Sequence, residues 1–254
     1  MKDAVVDFYE DLAEHYHLIF DDWDRAIARQ ASILNPLLHS VLPGAPLKIL
    51  DCACGIGTQA IGFAQARHHV VGSDLSGAAI ARARGEAKTR GLDICFAVSD
   101  MTSLQEIADI DFDVIAVLDN ALPHLDAGQI ERTMRAMASK LKPGGVLLAS
   151  IRDYDRLIVE RPTIQPPAFY GSHENRRIVH QVWDWLGHDA YTMHMYITLQ
   201  SGAEWKAHHF TSLYRALLRG ELTGILEREG FAEVRWMMPP ESGYYQPLVI
   251  AKRL

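Results

Sequence analysis

Between residues 47 and 151, short apolar runs alternate with stretches of helical character, and this alternation constrains the fold more than any other feature of the chain. Leu47-Lys48-Ile49-Leu50-Asp51 opens the series, and His69–Asp74, Leu92–Val98, Phe112–Leu118 and Val146–Ile151 continue it. Thr58–Ala66, a segment capped by Ser76 that runs to about Lys88, and a segment at about 127–141 read as the intervening helices. Strand–helix units of roughly 20–30 residues build a parallel sheet with helices on both faces. Ligands bind such sheets beyond the carboxyl ends of the strands.

The flanks have other rhythms. Residues 5–18 place Val5, Phe8, Leu12 and Tyr16 at helical spacing, and a second helix is expected over 22–41 with Asp22 as its N-cap and Pro36 kinking or dividing it. Beyond residue 160 the pattern becomes alternating, and three antiparallel strands are expected at about 178–185, 191–199 and 205–213. A helix over 216–229 and strands at 233–237 and 248–251 close the chain. The expected architecture is α/β and Rossmann-like: a mostly parallel seven-stranded sheet with N-terminal helices and an inserted antiparallel lobe. Residues 1–44 would form a helical lid, 45–159 a cofactor-binding core, 160–214 an insertion walling the acceptor pocket, and 215–254 the rest of the core.

The 254 residues carry 25 lysines and arginines against 32 acids, a net charge of −7. No long basic stripe is present, which argues against nucleic acid as a partner, since phosphate contacts dominate such binding. No apolar run is long enough to span a bilayer, and the N-terminus has no signal-peptide core, so a cytoplasmic enzyme of small molecules is expected. Cys52, Cys54 and Cys95 do not suggest a disulfide framework. The 12 histidines fall into no compact ligand set, so no metal is expected.

The segment Asp51-Cys52-Ala53-Cys54-Gly55-Ile56-Gly57-Thr58 carries the strongest local signal. A strand runs into a Gly-x-Gly turn and a helix starts at once, so the backbone can approach a ligand closely. Asp74 ends the next strand, where a carboxylate pairs with a ribose diol. A dinucleotide is disfavoured because Asp51 would repel a pyrophosphate, and no Gly-Lys-Ser/Thr follows to make a P-loop. A carboxylate there suits a ligand bearing an ammonium and a sulfonium, which favours S-adenosylmethionine.

Leu50–Gly57 resembles the first motif of the class I S-adenosylmethionine-dependent methyltransferases, with Ala53 where that motif has its first glycine. The resemblance extends through Asp74, Ser99-Asp100-Met101, Phe112–Asn120 and Leu141–Gly145. A narrower resemblance is to the glycine and sarcosine N-methyltransferases. Leu118-Asp119-Asn120-Ala121-Leu122-Pro123-His124-Leu125 is similar to their Gly-Asn-Ser-Phe-x-His-Leu stretch, with Asp119 in place of a glycine. Ser150-Ile151-Arg152-Asp153-Tyr154-Asp155 is similar to their Asp-His-Arg-Asn-Tyr-Asp.

The resemblance implies roles. Asp51, Gly55 and Gly57 would hold the methionine end of the donor, Asp74 the ribose, Leu75 and Met101 the adenine, and Asp100 its amino group. The Leu118 carbonyl would meet the ammonium and Arg29 the donor carboxylate, with Tyr16 and Trp23 on the same side. Arg152 would clamp an acceptor carboxylate, and Asn120, Tyr170, Trp183 and Tyr244 would line the acceptor pocket. His124 is the candidate proton acceptor, with Tyr9 and Tyr154 orienting the acceptor. The expected activity is in-line methyl transfer to the amine of a small amino acid or carboxylated amine. The alternatives are an O- or N-methyltransferase of a larger aromatic metabolite, and a non-catalytic nucleoside- or protein-binding module. Trp183 and Trp185 share one face and also suit a dimer contact, so a homodimer or homo-oligomer stays open.

Overall fold

The computed structural model describes residues 2–44 and 46–254. Helices α1 (Lys2–Leu12) and α2 (Trp23–Val41) precede the sheet. Strand β1 (Lys48–Cys52) leads to α3 (Thr58–Gln65), β2 (His69–Asp74), α4 (Gly77–Thr89) and β3 (Cys95–Val98). Then come β4 (Phe112–Val117), α5 (Ala127–Lys140), β5 (Leu141–Ser150) and α6 (Tyr154–Glu160). Strands β6 (Ile164–Ser172), β7 (Asn175–Leu186), β8 (Ala190–Ser201) and β9 (Glu204–Arg215) form a separate antiparallel sheet. The chain closes with α7 (Arg219–Arg228), β10 (Phe231–Met237), α8 (Pro239–Ser242) and β11 (Leu248–Arg253).

The main sheet has seven strands in the order β10-β11-β5-β4-β1-β2-β3. Strands β5, β4, β1, β2 and β3 run parallel, and β11 and β10 are antiparallel to their neighbours. Period-2 alternation sorts the side chains to two faces. Leu50, Cys52, Ile115, Val117, Leu147 and Ala149 join the core that also receives Ile130 and Met134 of α5 and Leu222 and Leu226 of α7. Ile49, Val114, Ala116, Val146 and Leu148 join the opposite core with Leu34 and Leu38 of α2, Phe63 of α3 and Ile80 of α4. The chain leaves β1 toward β2 on one side while β4 lies on the other, so the strand order reverses at β1. That reversal opens a crevice at the carboxyl ends of β1 and β4.

Four departures from the sequence expectations have physical causes. The first helix stops at Leu12, and Tyr16–Ile19 forms a 3-10 turn instead of more helix. Helix α2 runs unbroken through Pro36; Pro36 and Ser32 are both exposed, so water can satisfy the carbonyl that the proline strands. The antiparallel lobe has four strands, not three: β6 contains Pro166-Pro167, yet it lies at the sheet edge with its register shifted between Gln165 and Ala168. An edge strand tolerates missing amide donors. Strand β5 begins at Leu141 and so takes in Pro143-Gly144-Gly145, the turn expected to precede it. A Cβ at Gly145 would lie 2.9 Å from the Lys142 carbonyl and 3.0 Å from that of Phe112, so only glycine fits there.

Candidate active site

The Asp51–Thr58 turn is built on left-handed backbone. Ala53, Gly55 and Gly57 have φ of 56°, 54° and 95°. Ala53 bears a Cβ in this conformation, at about 1–2 kcal/mol of strain. Gly57 is the N-cap of α3, and a Cβ on Gly55 would meet nothing within 4 Å, so its backbone faces open space. Asp74 locks this turn to the end of β2: its Oδ2 accepts from the Gly55 amide at 2.8 Å and its Oδ1 from the Ser76 amide at 2.9 Å. Burial raises Asp74, and backbone bonds from Ser76, Gly55 and Leu75 oppose it.

A cleft over this turn is lined by Gly55, Asp74, Leu75, Asp100, Met101 and Leu118, joined by Tyr16 from the 3-10 turn and Tyr9 from α1. Asp51, near the end of β1, is 1% exposed and lines neither this cleft nor the larger cavity beside it. Its Oδ2 is buried without a hydrogen-bond partner. Burial, then the nearby Asp119 carboxylate, push Asp51 well above the usual carboxylate range. Burial, then Asp119, Tyr214, Asp74 and Asp51, likewise raise the Tyr16 phenol. Asp74, Asp100 and Asp119 thus line the cleft, with the orphaned Asp51 acceptor within electrostatic reach of Asp74 and Asp119. A ligand with an ammonium and a sulfonium fits that chemistry and a pyrophosphate does not.

A second cavity of about 1090 Å³ adjoins it, and Tyr9, Tyr16 and Asp119 line both. Arg152, Tyr170, Trp183, Tyr214 and Tyr244 form part of its wall. The Arg152 guanidinium donates to the Tyr191 hydroxyl at 2.7 Å and to Gln181 Oε1 at 3.2 Å. It lies 4.7 Å from the Trp183 ring centroid and 5.5 Å from that of Tyr214. Tyr170 donates its hydroxyl to the Ile19 carbonyl at 3.3 Å, and Arg177 donates to the carbonyls of Phe20 and Asp21. The antiparallel lobe thus holds down the segment between α1 and α2, which crosses the mouth of the site.

His124 Nε2 lies 2.9 Å from the Tyr9 hydroxyl, and Nδ1 lies 3.3 Å from the Leu213 carbonyl. A carbonyl only accepts, so the network assigns the proton to Nδ1 and makes Tyr9 the donor to Nε2. Burial lowers His124 to about 4, so it is neutral at physiological pH and a weak base.

Some expected site residues stand elsewhere. Trp23 lines neither cavity; its Nε1 donates at 2.9 Å to Thr58 Oγ1, which fixes α2 against the start of α3. Tyr154 is fully buried behind the wall, where its hydroxyl accepts from Asn120 Nδ2 and pairs with Tyr191, both at 3.0 Å. Asn120 accepts from the Arg152 amide at 3.0 Å. Tyr154 and Asn120 therefore brace Arg152 and do not face an acceptor. Arg29 is exposed and lines the larger cavity, not the cofactor cleft. Sequence reasoning missed Gln30, Gln59, Tyr191 and Tyr214. The glutamines carry no motif, and the tyrosines meet Arg152 only through the pairing of β8 with β9, where Tyr191 stands opposite Tyr214. Among the described residues no group of three or more His, Cys, Asp or Glu is arranged to hold a metal. Among them, too, no helix is long and apolar enough to cross a membrane.

Residues 49–145 match the family model of a methyltransferase domain. The solved structure of Streptomyces venezuelae DesVI superposes with a TM-score of 0.81 at 18% identity, covering 96% of this chain and 99% of that one. The fold is that of a class I methyltransferase. An S-adenosylmethionine-bound structure of CalS10, described as an amino pentose methyltransferase from Micromonospora echinaspora, shares this fold with a TM-score of 0.73 at 20% identity, covering 90% of this chain and 92% of that one. A ubiquinone/menaquinone biosynthesis C-methyltransferase of Bdellovibrio bacteriovorus is 36% identical over 103 residues, 40% of this chain and 42% of the relative. A glycine/sarcosine N-methyltransferase of Halorhodospira halochloris is 27% identical over 157 residues, 61% of this chain and 54% of the relative. The chain spans about half the length of the curated relatives it matches. The likeness to the glycine/sarcosine group is therefore partial and does not extend to a substrate.

Proposed function

We propose that this chain is an S-adenosylmethionine-dependent methyltransferase whose acceptor is a small-molecule metabolite larger than a simple amino acid. Bound in the cleft, the donor supplies an electrophilic methyl group. Asp74 would hold its ribose hydroxyls, Leu75 and Met101 its adenine, and the backbone of Gly55 and Gly57 its methionine end, with Asp51 offering its orphaned oxygen to the ammonium. Transfer needs proximity, alignment and exclusion of water more than acid–base chemistry. The segment across the mouth of the site provides the exclusion, and the Tyr9–His124 pair fixes one wall of the junction.

The larger cavity carries the acceptor assignment. A volume of about 1090 Å³, walled by Tyr170, Trp183, Tyr214 and Tyr244, is far roomier than a glycine-sized substrate requires. Arg152 gives two of its five N–H groups to Tyr191 and Gln181, which orient the guanidinium and leave the rest for an acceptor. The names of several relatives, which include an amino pentose and a quinone-pathway enzyme, support the same preference for a larger ring-bearing acceptor.

The test is release of S-adenosylhomocysteine from the purified protein with S-adenosylmethionine and a panel of small amino acids, amino sugars, phenols and quinols. Turnover of ring-bearing acceptors with silence on glycine and sarcosine is expected. Turnover confined to small amino acids would overturn the acceptor assignment. Failure to bind S-adenosylmethionine would overturn the whole proposal.

A further inference from the structure

Asp119 stands at the junction of the two cavities, and nothing in the proposed chemistry yet uses it. It stands two residues beyond β4 on left-handed backbone, with φ of 54°, and Asn120 after it has φ of 68°. Glycine would take that conformation without strain, so the side chain is kept against a backbone cost. The backbone amide of Asp119 donates to Ser150 Oγ at 2.8 Å, which fixes its position.

The carboxylate is held by three neutral donors. Oδ1 accepts from the hydroxyls of Tyr244 and Tyr245, each at 2.5 Å, and Oδ2 accepts from Gln59 Nε2 at 2.7 Å. Gln30 Oε1 in turn accepts from the other Gln59 Nε2 hydrogen at 2.7 Å, so that donor is itself oriented. A carboxylate offers about four acceptor directions, and three are filled. Two phenols and an amide position the charge without neutralising it. A half-buried charge is costly unless a cation meets it. The rings of Tyr244 and Tyr245, with centroids 4.8 Å apart, add aromatic surface of the kind that attracts cations.

We propose that Asp119 selects the nucleophile of the acceptor: its carboxylate receives a cationic amine, so the metabolite entering the larger cavity is an amine rather than an alcohol. This assignment rests on the methyltransferase reading above. An ammonium fills the remaining acceptor direction with a charge-assisted bond, which a neutral hydroxyl does not match; it gives one proton to that carboxylate before its nitrogen lone pair bonds the methyl carbon, the C–S bond breaking with its electron pair left on sulfur.

The test is calorimetric and needs no turnover. Wild-type protein saturated with S-adenosylhomocysteine is titrated with matched probes, benzylamine against benzyl alcohol and 2-aminocyclohexanol against cyclohexane-1,2-diol. The amine of each pair should bind about 10- to 100-fold tighter at neutral pH, the range of a charge-assisted hydrogen bond. Asp119→Asn, titrated at saturating S-adenosylhomocysteine, should erase that preference. Asp119→Gly should do the same, with the relief of its left-handed backbone offsetting part of the cost of unpairing Tyr244, Tyr245 and Gln59. Equal binding of alcohol and amine, no binding of either amine, or a preference surviving in both variants would overturn the assignment. Wild-type protein that fails to bind S-adenosylhomocysteine at all would instead overturn the methyltransferase reading beneath it.

Discussion

Asp51→Asn should make the ligand-free protein more stable and the donor complex weaker. Asp51 is 1% exposed, and its Oδ2 has no partner. Burial and Asp119 raise it well above 3.8, and the single opposing contribution is the Ala60 amide bond. The folded state therefore binds a proton more tightly than the unfolded chain. Stability from this group is intact below the ordinary aspartate range and is lost as pH rises toward the raised folded value, at up to about 1.4 kcal/mol per pH unit. Asparagine keeps the shape and an acceptor for Ala60 without the charge. At that slope the stability gain of the variant is at most about 1.7 kcal/mol at pH 5 and passes about 2 kcal/mol by pH 7–8. At this chain length that corresponds to roughly 4–8 °C in Tm. Thermal melts of both proteins across pH 5–8 provide the assay. S-adenosylhomocysteine should then raise the wild-type Tm by more than that of the variant, since only the wild type offers a charge to the ammonium. A variant less stable than the wild type at pH 7, or a difference that does not change with pH, would refute the reasoning.

Two further outcomes follow from the walls of the site. Tyr154→Phe removes the bonds to Asn120 and Tyr191 and should cost about 1–3 kcal/mol in urea unfolding, without changing S-adenosylhomocysteine affinity, because the hydroxyl lines neither cavity. His124 is lowered to about 4 by burial, so the unfolded chain binds its proton first, and stability should fall as pH drops from about 6.5 toward 4. His124→Gln should flatten that part of the profile, as read from urea midpoints at each pH.

The main sheet was legible because its signals are local. Each strand is an apolar run followed by its own turn and helix, and Asp22 and Ser76 cap the helices expected of them, accepting from the Arg25 and Ala79 amides. The candidate cleft has local signals too: Asp74 ends β2, and Gly55, Asp100 and Leu118 come just after β1, β3 and β4. Strand β6 was hidden by Pro166-Pro167, which a central strand would reject and an edge accepts. The acceptor wall was harder to foresee because its contacts are long-range. Arg152 meets Tyr191 and Gln181 across 39 and 29 residues, and Asp119 meets Tyr244 and Tyr245 across 125 and 126. Local periodicity carries no information about such pairs, which is why Tyr154 looked like an acceptor contact and proved to be a brace.

Calorimetric titration of S-adenosylhomocysteine into the wild-type protein and into Asp74→Ala tests the central claim most directly. One binding site per chain, weakened by about 10- to 100-fold in the variant through loss of the carboxylate's charge-assisted bonds, is the predicted result. No binding to the wild type, or equal affinity in the two proteins, would contradict the assignment of this cleft to the methyl donor.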